Sequence, residues 1–186
     1  MKMGVQEPDR FFVYQPVLVN SFAGVGSMCG EFTFVVKGDE LTIYNGSYEQ
    51  IYRSPKLPFH VQGITTCEEG DEDDEDGPIS IILVGYEGQI ARYLYYPSEN
   101  ILDSDWHIEL YQSVNDFTIV GGRVVILSNS RVVILQLSDG SLFREMPFEG
   151  VGLRLHDIGN ILLLETNRKI YGLKLSQKAA SLVEMI

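Results

Sequence analysis

The chain has 186 residues, 45 % of them hydrophobic, which is enough for a full core and argues against wholesale disorder. Its formal charge of −12 and its two cysteines, Cys29 and Cys67, exclude a disulfide framework and disfavour bare nucleic acid, DNA included, by long-range repulsion. The opening MKMGVQEPDRFF lacks the apolar core of a signal peptide and no run reaches the length of a membrane span, so one cytoplasmic domain over residues 1–186 with no membrane partner is expected.

Residues 11–20 (FFVYQPVLVN) read as a strand pair interrupted by Pro16, and the glycine-rich residues 21–30 read as a loop. Residues 31–44 predict a hairpin, with strands over 32–36 and 41–44 and a turn at Lys37, Gly38 and Asp39. Asn45-Gly46 is a turn signal, and a third strand follows over 48–52. Residues 54–58 break the pattern, 60–67 form a short strand, and 68–76 loop out. The next hairpin joins 79–84 to 89–95 through a turn at 85–88. Residues 97–105 are loop-like, with a strand over 106–111 and another over 117–120.

The most regular stretch is 122–146, GRVVILSNSRVVILQLSDGSLFREM. It predicts strands over 124–127, 132–137 and 142–146, with turns at Ser128, Asn129 and Ser130 and at Ser138, Asp139 and Gly140. The strand over 132–137 alternates poorly, as expected of one covered on both faces. Beyond it come 153–155, a hairpin of 161–164 with 169–175, and a tail over 176–186 that reads as a strand or a short helix.

The hairpins repeat: EFTFVVKGDELTIY, ISIILVGYEGQIARYL, RVVILSNSRVVILQL and NILLLETNRKIYGLKL. Their turns, at Asp39, Glu87, Asn129 and Thr166, stand 48, 42 and 37 residues apart. A period near 40 with about four strands per repeat is a propeller-blade signature. The expected fold is therefore all-β, made of repeated antiparallel hairpins, propeller-like, with about four blade-like units. A four-bladed ring, a partial propeller completed by a partner and a repeating sandwich all fit. Gly-His and Trp-Asp dipeptides are absent, so this is not a standard WD40 array.

No residue set points to catalysis, and no cofactor is expected. His60, His107 and His156 stand far apart, none with a Cys or an acid at metal-ligand spacing, and Cys67 abuts Glu68 and Glu69, which works against a reactive thiolate. Gly24, Gly26 and Gly30 lack the spacing and the helix of a phosphate loop. The acidic block Glu68, Glu69, Asp71, Glu72, Asp73, Asp74, Glu75 and Asp76 departs from a calcium loop, with Asp76 and Ile82 at the glycine and glutamate positions. It reads as a solvated, dispensable excursion, or as a tether for a basic protein partner.

The charge is uneven: residues 1–120 hold 6 basic and 20 acidic side chains, residues 121–186 hold 8 and 6. Arg131 and Arg168 hold matching places just after the turns of two repeats, which puts both turns on one rim; Lys169 adjoins the second, and Arg123 lies at the start of an inner strand, toward the opposite rim, with Arg154 nearby in sequence. Such loop-tip cations suit phosphate contacts, which makes these five the candidate RNA-binding residues. Tyr93, Tyr95 and Tyr96 are candidate anchors for protein partners.

In size and economy of build, with runs such as GGRVVILSNSRVVILQL, the chain resembles the microsporidian ribosome dormancy (hibernation) factors. The resemblance implies a non-enzymatic protein docked on ribosomal RNA and basic ribosomal proteins, blocking the tRNA exit site. It carries over no individual residue. The alternative is a propeller-like scaffold subunit that mediates protein–protein interactions.

Overall fold

The structure, a computed structural model, describes residues 24–70, 77–159 and 161–186. The strand pair expected over 11–20 and the acids Asp71, Glu72, Asp73, Asp74, Glu75 and Asp76 lie outside the described residues. Every regular element described is a strand. In chain order these are β1 (Val25–Cys29), β2 (Phe32–Lys37), β3 (Glu40–Tyr44), β4 (Gln50–Arg53), β5 (Val61–Glu68), β6 (Ile79–Gly85), β7 (Gln89–Tyr96) and β8 (Ile101–Glu109). Then follow β9 (Asp116–Val120), β10 (Arg123–Leu127), β11 (Arg131–Gln136), β12 (Leu142–Pro147), β13 (Gly152–Asp157), β14 (Leu162–Thr166), β15 (Ile170–Leu175) and β16 (Ala180–Glu184). They form four four-stranded sheets, each a run of consecutive strands: β1–β4, β5–β8, β9–β12 and β13–β16.

Two readings are corrected, and a third, left open between strand and helix, is decided. The glycine-rich stretch expected as a loop contains β1, because Val25 pairs with Val36 and Cys29 with Phe32. Pairing with a central strand overrides the weak strand propensity of glycine and serine. The strand expected over 106–111 runs instead from Ile101 to Glu109, and with six of its nine residues exposed and none buried it is an outer edge whose polar residues hid it. The tail is a strand, β16, zipped to β15 from Tyr171↔Glu184 to Leu175↔Ala180.

The chain divides into two compact units: residues up to Gly85 with Ile90–Asp105, and Tyr86–Gln89 with Trp106–Ile186. In the first, β1 lies against β5, and the buried hydroxyls of Ser27 and Thr66 satisfy each other at 2.7 Å between the two sheets. Its core gathers Phe34, Leu41, Ile43, Ile64, Ile81, Leu83 and Tyr95. The Tyr95 ring meets Phe34 and Phe32 edge-on with centroids 5.9 and 5.7 Å away, and its hydroxyl donates to Asn100 Oδ1 at 2.9 Å.

In the second unit β9 lies against β13, tied by the Leu155 N–H donating to Asp116 Oδ2 at 2.8 Å. Its core gathers Val125, Leu127, Val132, Ile134, Leu155, Leu164 and Leu173. Strand β11 is buried without a break from Val132 to Leu135, as its poor alternation predicts. Sheets of this kind, packed through their first strands and exposed along their last, are blades.

One device recurs. After each of the first three blades the linker to the next crosses back over the blade's own central turn and is pinned there. Leu57 and Val61 donate to Asp39 O and Gly38 O at 2.7 and 2.8 Å. Leu110 donates to Gly88 O at 2.9 Å, and Phe148 and Gly152 donate to Ser130 O and Asn129 O at 3.2 and 3.0 Å. The turns themselves close through hydroxyls: Ser128 Oγ and Thr166 Oγ1 each donate to the carbonyl three residues on, at 2.9 Å. The sequence repeat is thus a repeat of hydrogen bonds.

Candidate protein-binding groove

The five cations singled out for RNA are largely engaged. Arg131 Nη1 pairs with Glu145 at 2.6 Å. Arg168 reaches Glu149 at 3.6 Å, and Lys169 bridges Glu149 and Glu184 at 2.9 and 3.0 Å. This pairing holds the Glu149 carboxyl below its ordinary range, chiefly through the Lys169 hydrogen bond, and raises Lys169 above the ordinary lysine value. Arg123 turns inward, its guanidinium 4.1 Å from the centre of the Phe143 ring and donating to Gln177 O at 3.0 Å. Arg154 is exposed and, among the described residues, carries no ion pair. The turns bearing Arg131 and Arg168 do share an edge: residues 148–152 hydrogen-bond to both, with Val151 N donating to Asn167 Oδ1 at 2.7 Å. That edge is close to neutral rather than basic.

Of the acidic block, Glu68 ends β5 and is exposed. Glu69 is not a solvated acid. It ion-pairs with Arg92, whose side chain is only 6 % exposed, and accepts from Ser80 Oγ at 2.7 Å. Arg92 also donates to Asp105 Oδ2 at 2.5 Å and to Ser80 Oγ at 2.7 Å. A buried guanidinium is retained only where its donors are matched like this.

Of the expected tyrosine anchors, Tyr93 and Tyr96 are half-buried and Tyr95 is corrected. Tyr95 is a core residue with no exposed surface, and burial raises the hydroxyl pKa values of Tyr93 and Tyr95. Among the described residues the tyrosines that face solvent are Tyr48, Tyr86 and Tyr111. Composition does not separate these two groups. Alternation does: Tyr95 lies opposite Ile79 within a sheet, whereas Tyr86 and Tyr111 stand in connections.

Tyr86 and Tyr111 wall one open recess of about 450 Å³, lined also by Glu87, Gln89, Glu109, Gln112 and Ser113. The β6–β7 turn and residues 109–113 build it, both within the second unit. Gly88 makes the approach possible: at φ +81° a Cβ there would stand 2.3 Å from Gln112 O, so no other residue fits. The linker is held to the turn by the Leu110–Gly88 bond, which sets Tyr111 at φ +53° with 86 % of its surface exposed. A tyrosine in the left-handed region that buries little of its ring is strained without packing in return; Tyr48 shares this conformation, but of the two only Tyr111 stands at this recess. Among the described residues the lining has two carboxylates and no Lys or Arg.

The sequence matches no protein-family model and no curated protein. Solved structures do match. Saccharomyces cerevisiae Sqt1 aligns at TM-score 0.66 and 8 % identity over 85 % of this chain and 48 % of its own. The WD40 domain of SCAP from fission yeast aligns at 0.61 and 12 % over 84 % and 40 %. The β-propeller domain of Cps50 (Swd1) from Myceliophteria thermophila aligns at 0.57 and 12 % over 78 % and 51 %. The fold is of the β-propeller type. The chain spans about half the length of these structures or less.

Proposed function

We propose that the protein is a non-catalytic propeller-type scaffold that binds a protein partner through the groove between Tyr86 and Tyr111. The observation that carries this reading is the groove itself: two solvent-facing tyrosines, one held in a strained backbone, around an open recess whose charged lining residues are Glu87 and Glu109. Aromatic side chains on rigid walls are what protein interfaces use as anchors. The propeller and WD40 neighbours agree with it at the level of fold.

Docking on a ribosome through the Arg131–Arg168 edge has weaker support. Its cations face Glu145, Glu149 and Glu184, which compete with phosphate for the same donors.

The test compares wild type with a Tyr86→Ala, Tyr111→Ala double variant in quantitative co-precipitation, with ribosome pelleting across a salt series in parallel. A protein partner recovered by wild type and lost by the double variant, at unchanged melting temperature, supports the scaffold. Equal recovery by both moves the interface elsewhere. Salt-sensitive ribosome pelleting that Arg131→Glu with Arg168→Glu abolishes would restore the ribosome reading in its place.

A further inference from the structure

We infer that the groove recognises a basic peptide, with an arginine side chain of the partner seated against the tyrosines and facing Glu87 and Glu109; this rests on the scaffold reading and names its partner's chemistry.

Four features of the recess converge on a cation. Tyr86 is 68 % and Tyr111 86 % exposed, so their ring faces are open, and an open aromatic face attracts guanidinium through its quadrupole. Glu87 and Glu109 are exposed, and among the described residues neither takes part in an ion pair. Glu40, Glu69, Glu145, Glu149, Glu165 and Glu184 each meet a basic side chain of the chain itself, whereas Glu87 and Glu109 stand together at one recess with their carboxylates uncommitted to any cation. No cation lines the recess, so its own potential is negative, and the chain's net charge of −12 adds long-range attraction for a basic partner.

The remaining lining selects a peptide over a lone cation. Gln112 carries a carbonyl acceptor and an amide donor, Gln89 offers its amide donor while its Oε1 accepts from the Glu87 N–H at 3.3 Å, and Ser113 carries a hydroxyl; such groups pair with main-chain N–H and C=O. An open recess of about 450 Å³ lies in the size range of ligand sites, about 300–1,000 Å³, yet leaves the chain on either side of the seated residue in solvent. Arginine suits it better than lysine. Its planar guanidinium stacks on a ring while its edge presents paired donors to a carboxylate, and the compact ammonium does both less well.

The experiment uses the full chain, isotope-labelled, titrated with a seven-residue glycine–serine peptide carrying two arginines and followed by amide chemical shifts. The same peptide with citrulline in place of arginine is the neutral isostere. The expected result is a saturable shift confined to residues 86–89 and 109–113, at least tenfold weaker with citrulline and weaker as salt is raised. Glu87→Gln with Glu109→Gln should weaken arginine-peptide binding about tenfold, leave citrulline binding unchanged and leave the melting temperature unchanged. Equal binding of the two peptides, equal binding by the charge variant, or no groove shift with either peptide overturns the inference. If a protein partner is still lost with the tyrosine double variant while the arginine peptide fails, the scaffold stands and only its occupant is wrong.

Discussion

Glu69 and Arg92 form an ion pair at the edge of the first unit's core, joining the end of β5 to the middle of β7, with Ser80 of β6 bonded to both. The arginine is buried and its second carboxylate, Asp105, comes from β8. One guanidinium therefore ties together all four strands of a blade. Truncating one partner of a buried charge leaves the other in a medium that solvates it poorly.

Glu69→Ala should accordingly destabilise the protein. The full cost of breaking a buried pair is about 3–5 kcal/mol, reduced here to about 1–3 kcal/mol because Glu69 is partly exposed and Asp105 remains. Replacing residues 68–76 with a Gly/Ser linker should cost the same, and the same linker with Glu69 restored should recover it. Melting temperatures of the three proteins decide the matter; an unchanged value for Glu69→Ala would mean the pair contributes nothing.

How far each feature was legible in the sequence follows from this pair. Blade centres such as 124–127 and 132–137 could be read because β-branched runs between tight turns have one interpretation. The role of Glu69 could not, since it sits among seven other acids and its partner is twenty-three residues away on another strand. Strand β1 was obscured by its glycine and serine, and the start of β8 by its polar surface, because pairing rather than propensity makes each a strand. The repeat puts Arg131 and Arg168 just after matching turns, while Glu145 and Glu149, which neutralise them, come from β12 and the linker beyond it and carry no signal in that repeat. The groove had a faint signal: tyrosines just after a strand, in connections rather than at alternating strand positions.

Gly88→Ala should be among the most damaging single-methyl additions in the chain. The new carbon would meet Gln112 O at 2.3 Å while occupying φ +81°. Overpacking and left-handed strain together cost about 2–4 kcal/mol. The linker would have to move, so peptide shifts at residues 109–113 should be lost with the stability. Gly121→Ala is the control, since at φ +54° it is strained but nothing lies within 4 Å. If both substitutions cost the same, the close approach at Gly88 is not what shapes the groove.

The Glu149–Lys169 pair should leave a signature in acid. Glu149 has its pKa lowered by Lys169, so its contribution is present above the ordinary carboxylate range and is lost as pH falls through the lowered value. Lys169 has its pKa raised by Glu149 and Glu184, so its contribution is present below the ordinary lysine range and is lost only as pH rises through the raised value. Lys169→Met should therefore lower the melting temperature at neutral pH and narrow its gap to wild type between about pH 5 and pH 2. Because both carboxylates are exposed, raised salt should shrink that gap as well. A gap that is independent of pH and salt would assign the effect of Lys169 to packing of its methylenes.

Tyr111→Gly should raise stability and remove function together. At φ +53° the tyrosine stands in a region that costs a residue with a Cβ about 1–2 kcal/mol, and glycine enters it freely. With 86 % of its surface exposed, Tyr111 gives up little packing when removed. The greater freedom of glycine in the unfolded chain offsets part of the gain, leaving about 0.5–1 kcal/mol and a rise in melting temperature of about 1–4 °C. Tyr48 provides the control: it has φ +60° and 70 % exposure but lies outside the groove. Tyr48→Gly should raise stability in the same way and leave binding of both the protein partner and the arginine peptide intact. Tyr111→Gly should lose both, because the ring that strain holds in solvent is the surface the partner covers. Loss of stability in Tyr111→Gly would show that the ring packs more than its exposure implies, and binding that survives the change would remove Tyr111 from the interface.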